Sequence, residues 1–437
     1  MKKWSIVGIL SVSLFAICLG SIVAFLPIAN HIFTGNFQWN LLAMRNIGVE
    51  SVEELRAPVD GPADLNLNTP FGKVDVTGQE GLHEIQINAH KYAWGADQKS
   101  AEELLSKVKV VVRQTGNSVQ VYVDQPVQVD ILHIGPAGVA VDFTVTVPTE
   151  CAVQASSSSG AVSLRGIAGR AVVHSSFGDV TAGQIRGGVK ATSSSGAVTV
   201  TDVTAGGESV DAESSFGEVT VRRAEGADLS VRSSSGEVTV EDSSFTGPAE
   251  LRTSFGDING SNLTAGSLEA RTNSGKVTLQ GVKADGQLLA HSDFGEVYVS
   301  GSTADSYNLD TNSGSITSDN VQGKVKAHSG FGDIAVRGTQ VVLDLSTNSG
   351  SISFTGSLGD GLSSLHTNFG DIDVRLPEDT QFSVDLSTNF GDVECGFPVT
   401  STRADSSHLV GTVGAGGPTL QASTNSGSVS VQPQPAS

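Results

Sequence analysis

Residues 229–240 read LSVRSSSGEVTV. Leu229 and Val231 alternate with Ser230 and Arg232, a serine-glycine break follows, and the alternation resumes at Val238 and Val240. A period of two marks half-buried strands, so the stretch is two short strands meeting at a tight corner. The unit recurs along the chain. Its corner glycines are Gly72, then Gly160, Gly178, Gly196, Gly217, Gly236, Gly256, Gly275, Gly295, Gly314, Gly332, Gly350, Gly370, Gly391 and Gly427. From Gly160 to Gly391 their spacing is 18 to 21 residues. A fixed period of this length means stacked repeats.

Two columns carry the packing. The residue two after the glycine is Val or Ile in every unit, from Val74 and Val162 to Val393 and Val429. Five before it there is often Leu or Val, as at Val173, Val231, Leu251, Leu309, Leu345 and Leu386. Parallel coils about 4.8 Å apart stack like residues into buried ladders. Burying one such valine is worth roughly 1.5–3 kcal/mol. Length varies mostly at the opposite corner, for example DSSFTGPAE at 242–250, without disturbing the Val/Ile column. That favours parallel coils over a stack of antiparallel hairpins.

The residue before the glycine alternates between serine and phenylalanine: Ser159, Phe177, Ser195, Phe216, Ser235, Phe255, Ser274, Phe294, Ser313, Phe331, Ser349, Phe369. Phe390 breaks the pattern. The residue after the glycine alternates in step. It is Asp179, Glu218, Asp257, Glu296, Asp333 and Asp371 in phenylalanine coils, and mostly Ala161, Ala197, Lys276, Ser315 and Ser351 in serine coils, with Glu237 the exception. The true unit is a pair of coils. Acids on every coil would repel at about 5 Å, and rings on every coil would overfill the corner, so the alternation reads as packing.

The chain has 437 residues and a net charge of −20, which disfavours nucleic acid and anionic membrane surfaces. An acidic face that takes up cations is the alternative to a solubility device. Met1-Lys2-Lys3 precedes an uncharged apolar run from Trp4 to Ala29, long enough to span a bilayer. The lysines favour an inside N-terminus and an extracellular C-terminal part. The expected organisation is a cytoplasmic stub at 1–3, a transmembrane anchor at 4–29, a linker at 30–60, a β-rich N-terminal capping module at 61–150, solenoid repeats at 151–431 and a polar tail at 432–437. Solenoid ends need such caps because they expose core and unpaired backbone. Within the module, Ser100 with Glu103 is expected to form a capping box at the start of a short helix. Cys151 and Cys395 sit near opposite ends of the array, too far apart to bridge, and Cys18 lies in the apolar run.

Candidate sites are sparse. His174, His291, His328 and His366 share one column, four before the glycine, where other coils carry Arg232, Arg252 and Arg271. On a strand that position faces solvent, and the acid after the glycine is a candidate partner across the corner. Asn273, Asn312, Asn348, Asn368, Asn389 and Asn425 stand two before the glycine, placed to stack as an amide ladder. No nucleophile elbow, zinc motif, phosphate loop, dinucleotide fingerprint or calcium nonapeptide is present. No catalytic, cofactor-binding or metal residue is expected, and no cofactor.

These repeats resemble the DUF4097 family of bacterial β-strand-repeat proteins, a group that carries an adhesin label and includes LiaG-like envelope proteins. The likeness spans about residues 60–431. It rests on LNLNTPFGKVDV, on VDFTVTVPTECAVQASSSSGAVSL, on the serial SGxV and FGDV coils, and on the closing GTVGAGGPTLQASTNSGSVSV. The resemblance implies a membrane-attached, surface-facing β-solenoid with no catalytic residues. The expected fold is all-β: a parallel β-solenoid of about 14 short coils, right-handed by crossover chirality, with the capping module and one N-terminal transmembrane helix. The expected function is a non-enzymatic cell-surface adhesin presenting an acidic repeat face to envelope polymers, other surfaces or membrane-protein partners. The alternatives are a LiaG-like accessory of an envelope-stress response and, more remotely, a glycan-active β-helix enzyme.

Overall fold

A computed structural model describes residues 47–124 and 137–434. The anchor expected at 4–29 lies outside them. Among the described residues no helix is long and apolar enough to cross a membrane.

The alternation read at 229–240 becomes two strands, Leu229–Ser233 and Val238–Phe245, on opposite walls of a thin two-walled coil. Each pairs in parallel, in register, with its counterpart one coil before and one coil after. Leu229 lies between Val210 and Ala249, and Val238 lies between Val219 and Ile258. These parallel ladders exclude the hairpin stack. The Val/Ile column is buried along the array, only Val393 at the far end being half-buried, and the Leu/Val column five before the glycine is buried with it. One continuous core runs from Ala57 to Val431.

The opposite corner holds a column the sequence did not announce. Six residues after the glycine the backbone turns left-handed at Gln184, Asp202, Arg223, Asp242, Asn262 and Asn320, with φ between 49° and 56°, and glycine takes the place at Gly166, Gly281 and Gly301. A left-handed residue bends the strand at the corner while the parallel pairing continues beyond it, as in Val198–Thr204 and Val219–Gly226. It costs roughly 1–2 kcal/mol in a side-chain-bearing residue. Asn and Asp tolerate it best, and here they also bond across layers. Arg223 grips Asp202 with two hydrogen bonds at 2.7 and 3.0 Å, and Asn262 donates to Asp242 at 2.9 Å.

The solenoid winds through about 11 turns, fewer than the 14 expected. The difference lies at the ends, where coils are not reached by winding onward. At the C-terminal end the chain leaves the layer of Leu362–Phe369 and Ile372–Leu376 and skips one level. It builds the outermost layer from Phe382–Phe390 and Val393–Cys395. It then runs out through the antiparallel strands Val399–Ala404 and His408–Val413, and returns. The final strands, Thr419–Ser426 and Val429–Pro433, slide into the vacant level. They pair in parallel with Leu362–Phe369 and Ile372–Leu376 on one side and with Phe382–Phe390 and Val393–Cys395 on the other.

The N-terminal end mirrors this. Ala63–Thr69 and Val74–Gln79 lie between the layer of Ser118–Asp124 and Gly138–Pro148 and the layer of Cys151–Ser157 and Val162–Arg165. Antiparallel strands close both walls there. Lys109–Thr115 covers one, and Glu84–Gly95 covers the other. Ile47–Pro58 adds a further strand outside Glu84–Gly95. It occupies the described part of the expected linker. Its mostly exposed, charged side chains hid it from an apolar-alternation reading, and ion pairs Arg56–Glu84 and Lys91–Glu53, both 3.0 Å, help to hold it. These strands cover the ends of the parallel ladders, and the outermost of them, Ile47–Pro58, carries charged residues that disfavour further strand addition.

The helix spans Gln98–Lys107, and its cap corrects the expectation. Asp97, not Ser100, is the N-cap. Its carboxylate accepts from the Ser100 backbone N–H at 2.7 Å, while Ser100 Oγ accepts from the Asp97 N–H at 3.2 Å. The box sits one turn earlier because Asp97 is itself a strong capping residue.

Candidate functional site

The corner of the Phe177 layer shows how each repeat is built. Ser175 is buried, and its Oγ donates to the Gly160 carbonyl of the layer below while accepting from the Gly178 N–H, both at 2.8 Å. Gly178 rests directly on Gly160, so a Cβ there would overlap the Gly160 carbonyl group. Close backbone approach is therefore what the corner glycine serves. Asp179 Oδ1 then accepts from the Ala197 N–H of the layer above at 2.9 Å. Val180 closes the unit in the core.

The buried hydroxyl recurs, always Ser or Thr three before the glycine, as at Thr253, Thr272, Ser292 and Thr311. Sequence reasoning missed this column. Its signal was the strict restriction to Ser or Thr beside positions that vary. The aspartate cap recurs at Asp257 to Lys276, Asp333 to Ser351 and Asp371 to Ser428. These bonds give the alternation of acids a reason beyond repulsion: an aspartate in one layer satisfies an exposed N–H in the next.

The phenylalanines do not fill the corner. Phe71, Phe177, Phe216, Phe255, Phe294, Phe331, Phe369 and Phe390 stand in solvent with 43 to 74% of their surface exposed. The expectation that they are packing residues is corrected. The residue two after the glycine already fills the core at this corner, and the backbone between points the ring outward.

The stacking order also repairs the break at Phe390. Ser426 of the inserted final coil lies between Phe369 and Phe390 in the ladder. Phe71, in a layer beside that of Ser159, extends the pattern at the other end. In space, phenylalanine and serine alternate without exception from Phe71 to Phe390. At about 9.6 Å per pair of layers, eight rings form a stripe roughly 65 Å long.

The other columns behave as surface. The histidine column faces outward as expected, each ring bonded to the next layer: His174 to Thr192 at 2.9 Å, His291 to Asp310 at 2.7 Å, His328 to Ser346 and His366 to Ser423 at 2.9 Å. The arginines in that column pair with carboxylates of the adjacent layer or two residues earlier on their own strand, not with the acid after the glycine. Arg232 and Arg252 meet Glu250, and Arg252 and Arg271 meet Glu269. The aspartates after the glycine accept from a backbone N–H of the adjacent layer instead, while Glu296 pairs with Lys276 at 3.1 Å. The amide ladder forms as two separate rungs, Asn368 to Asn348 at 2.8 Å and Asn389 to Asn425 at 2.6 Å. Among the described residues no cluster of His, Cys, Asp or Glu converges as a metal site. Cys151 and Cys395 are free, and burial pushes the Cys151 thiol up to about 12, which leaves it a poor nucleophile.

A short-coil parallel β-solenoid with interleaved ends and an exposed aromatic stripe is thus the class the geometry defines. The DUF4097 (Toastrack) family matches residues 71–262 and 260–432, and the chain belongs to that family. No curated protein matches it in sequence. Two solved structures are similar. A candidate cell adhesion protein from Clostridium sporogenes is 9% identical, covering 89% of this chain and 100% of its own, with a TM-score of 0.15. A candidate adhesin from Bacteroides fragilis is 11% identical, covering 88% and 97%, with a TM-score of 0.17. Scores this low carry no argument about function.

Proposed function

We propose that the chain is a non-enzymatic surface scaffold that adheres through its phenylalanine stripe. The observation that carries this reading is the stripe itself: eight exposed rings in one column, where the only other large apolar side chains exposed among the described residues are the scattered Ile47, Val52 and Leu362. Isolated surface apolar residues need no explanation, but eight rings repeated at one pitch along a single corner, rimmed by polar groups, mark an interaction site. The apolar run at 4–29 would tether the scaffold to the cell membrane with the solenoid outside, where envelope material and neighbouring cells are within reach.

Pelleting the full chain with whole cells and isolated envelope material tests this. Saturable pelleting is expected, and replacing Phe216, Phe255 and Phe294 by serine should reduce it at least tenfold. Equal pelleting of the triple variant would overturn the role of the stripe. A chelator is expected to leave pelleting unchanged, because the stripe binds through apolar contact.

A further inference from the structure

The stripe has a second property that its exposure alone does not explain. Aromatic rings one layer apart, at about 4.8 Å, would already stack well within one chain, since aromatic pairs favour centroid separations of about 4.5–7 Å. The chain forgoes that contact. It places serine in every intervening layer, at Ser159, Ser195, Ser235, Ser274, Ser313, Ser349 and Ser426, so each neighbouring pair of rings flanks an open slot about 9.6 Å wide. A ring entering such a slot would sit about 4.8 Å from both neighbours.

The object whose rings carry the same spacing is a second copy of this stripe, displaced by one layer. We propose that two copies of the chain zip together along this edge, the rings of each filling the serine slots of the other, and that this homophilic contact is what the adhesive surface binds. The proposal rests on the adhesive reading only for its setting at a cell surface.

Symmetry restricts the arrangement. Two-fold pairs are the common closed form. A two-fold parallel to the solenoid would set ring against ring in the same layer. A two-fold across it, passing between the Ser274 layer and a phenylalanine layer beside it, makes the copies antiparallel and sets ring against slot for nearly the whole stripe. In that arrangement the Lys276 layer faces a partner layer that carries either Asp257 or Glu296; Lys276 is already paired with Glu296 of its own chain at 3.1 Å, so the rings and not this charge carry the contact. The area suffices. At roughly 100 Å² from each exposed ring, eight rings supply about 800 Å² per copy, the size of a standard stable interface.

The antiparallel form also has a consequence for topology. The chain enters the solenoid at one end, through Ile47–Pro58. Antiparallel pairing puts the two entry points at opposite ends of the dimer, as needed for chains reaching out from two facing surfaces.

Charge gives the pairing a distinctive salt dependence. Each copy carries −20, so association works against repulsion that salt screens. Binding should therefore tighten as salt rises, opposite to binding of a cationic partner.

Residues 47–437 contain every described strand and the whole core cluster, which suits them to sedimentation velocity as a folded unit. A dimer is expected that strengthens from about 0.05 to about 1 M NaCl. The double variant Phe255→Ser/Phe294→Ser should weaken it at least tenfold with its melting temperature unchanged. Ser274→Phe is the sharper test. It adds apolar surface but fills its own slot, so the zipper predicts weaker pairing, also about tenfold, whereas an unspecific greasy stripe would bind more tightly. A monomer at every salt concentration, or stronger pairing by Ser274→Phe, overturns the proposal. A monomer that still pellets with envelope material would leave adhesion standing and remove only the homophilic partner. A salt-strengthened dimer that pellets with nothing would support the pairing and remove the adhesive role.

Discussion

At the scale of the residue, the corner hydroxyl ties adjacent layers most directly. Ser175 Oγ satisfies one buried carbonyl and one buried N–H at once, both belonging to glycines of different layers. Ser175→Ala strands both groups, so it should cost about 1–3 kcal/mol in urea unfolding. Ser175→Thr should be nearly neutral, because threonine makes the same carbonyl contact at Thr272 and Thr311. Equal stability of the alanine variant would show that the hydroxyl is replaceable by solvent. The exposed phenylalanines behave oppositely under substitution. Their removal leaves no cavity and breaks no hydrogen bond, so association can be altered without altering the fold.

At the scale of the element, the strands were the most legible part of the sequence and the connections the least. Val74, Val162 and their column revealed the coil because burial on a pleated wall selects β-branched residues at every repeat. The Ser/Phe alternation was equally visible, but whether Phe216 points into the corner or out of it depends on a backbone direction that composition does not encode. The left-handed column at Gln184 and Arg223 was hidden for a related reason: these residue types do not advertise positive φ as glycine does. The helix cap was displaced by one turn because Asp97 and Ser100 both satisfy the capping pattern. Asp97 offers a test of that element. Its carboxyl is held below its ordinary value, first by the Ser100 backbone N–H, then by the Ser100 side chain and Lys99. A depressed folded-state value contributes stability that is present above the unfolded value, near 3.9, and is lost as pH falls through the folded value. Amide exchange in Gln98–Lys107 should therefore accelerate below about pH 4 before the solenoid strands respond. Asp97→Asn should keep the cap and abolish that dependence. A pH response that survives this substitution would assign the effect to another group.

At the scale of the whole molecule, the interleaved ends distinguish this solenoid from a simple spiral. Removing residues 419–437 takes out an interior layer, not the outermost one. The strands Phe382–Phe390 and Val393–Cys395 would lose their parallel partners, and the antiparallel pair beyond them would lose its support. Hydrogen exchange should show 382–413 losing protection together while 151–350 keep theirs. Persistent protection at 382–413 would mean that the outer layer can dock directly on Leu362–Phe369, which would bring Phe390 beside Phe369. The same feature orders events in time. During synthesis most coils can settle as they emerge, each on the one before. The layer of Phe382–Phe390 cannot, because the seat beneath it is filled by the last coil to be made. Completion of that end must wait until Thr419–Pro433 has been made, so a product cut short before that stretch carries an open, unfinished edge that quality-control proteases can recognise.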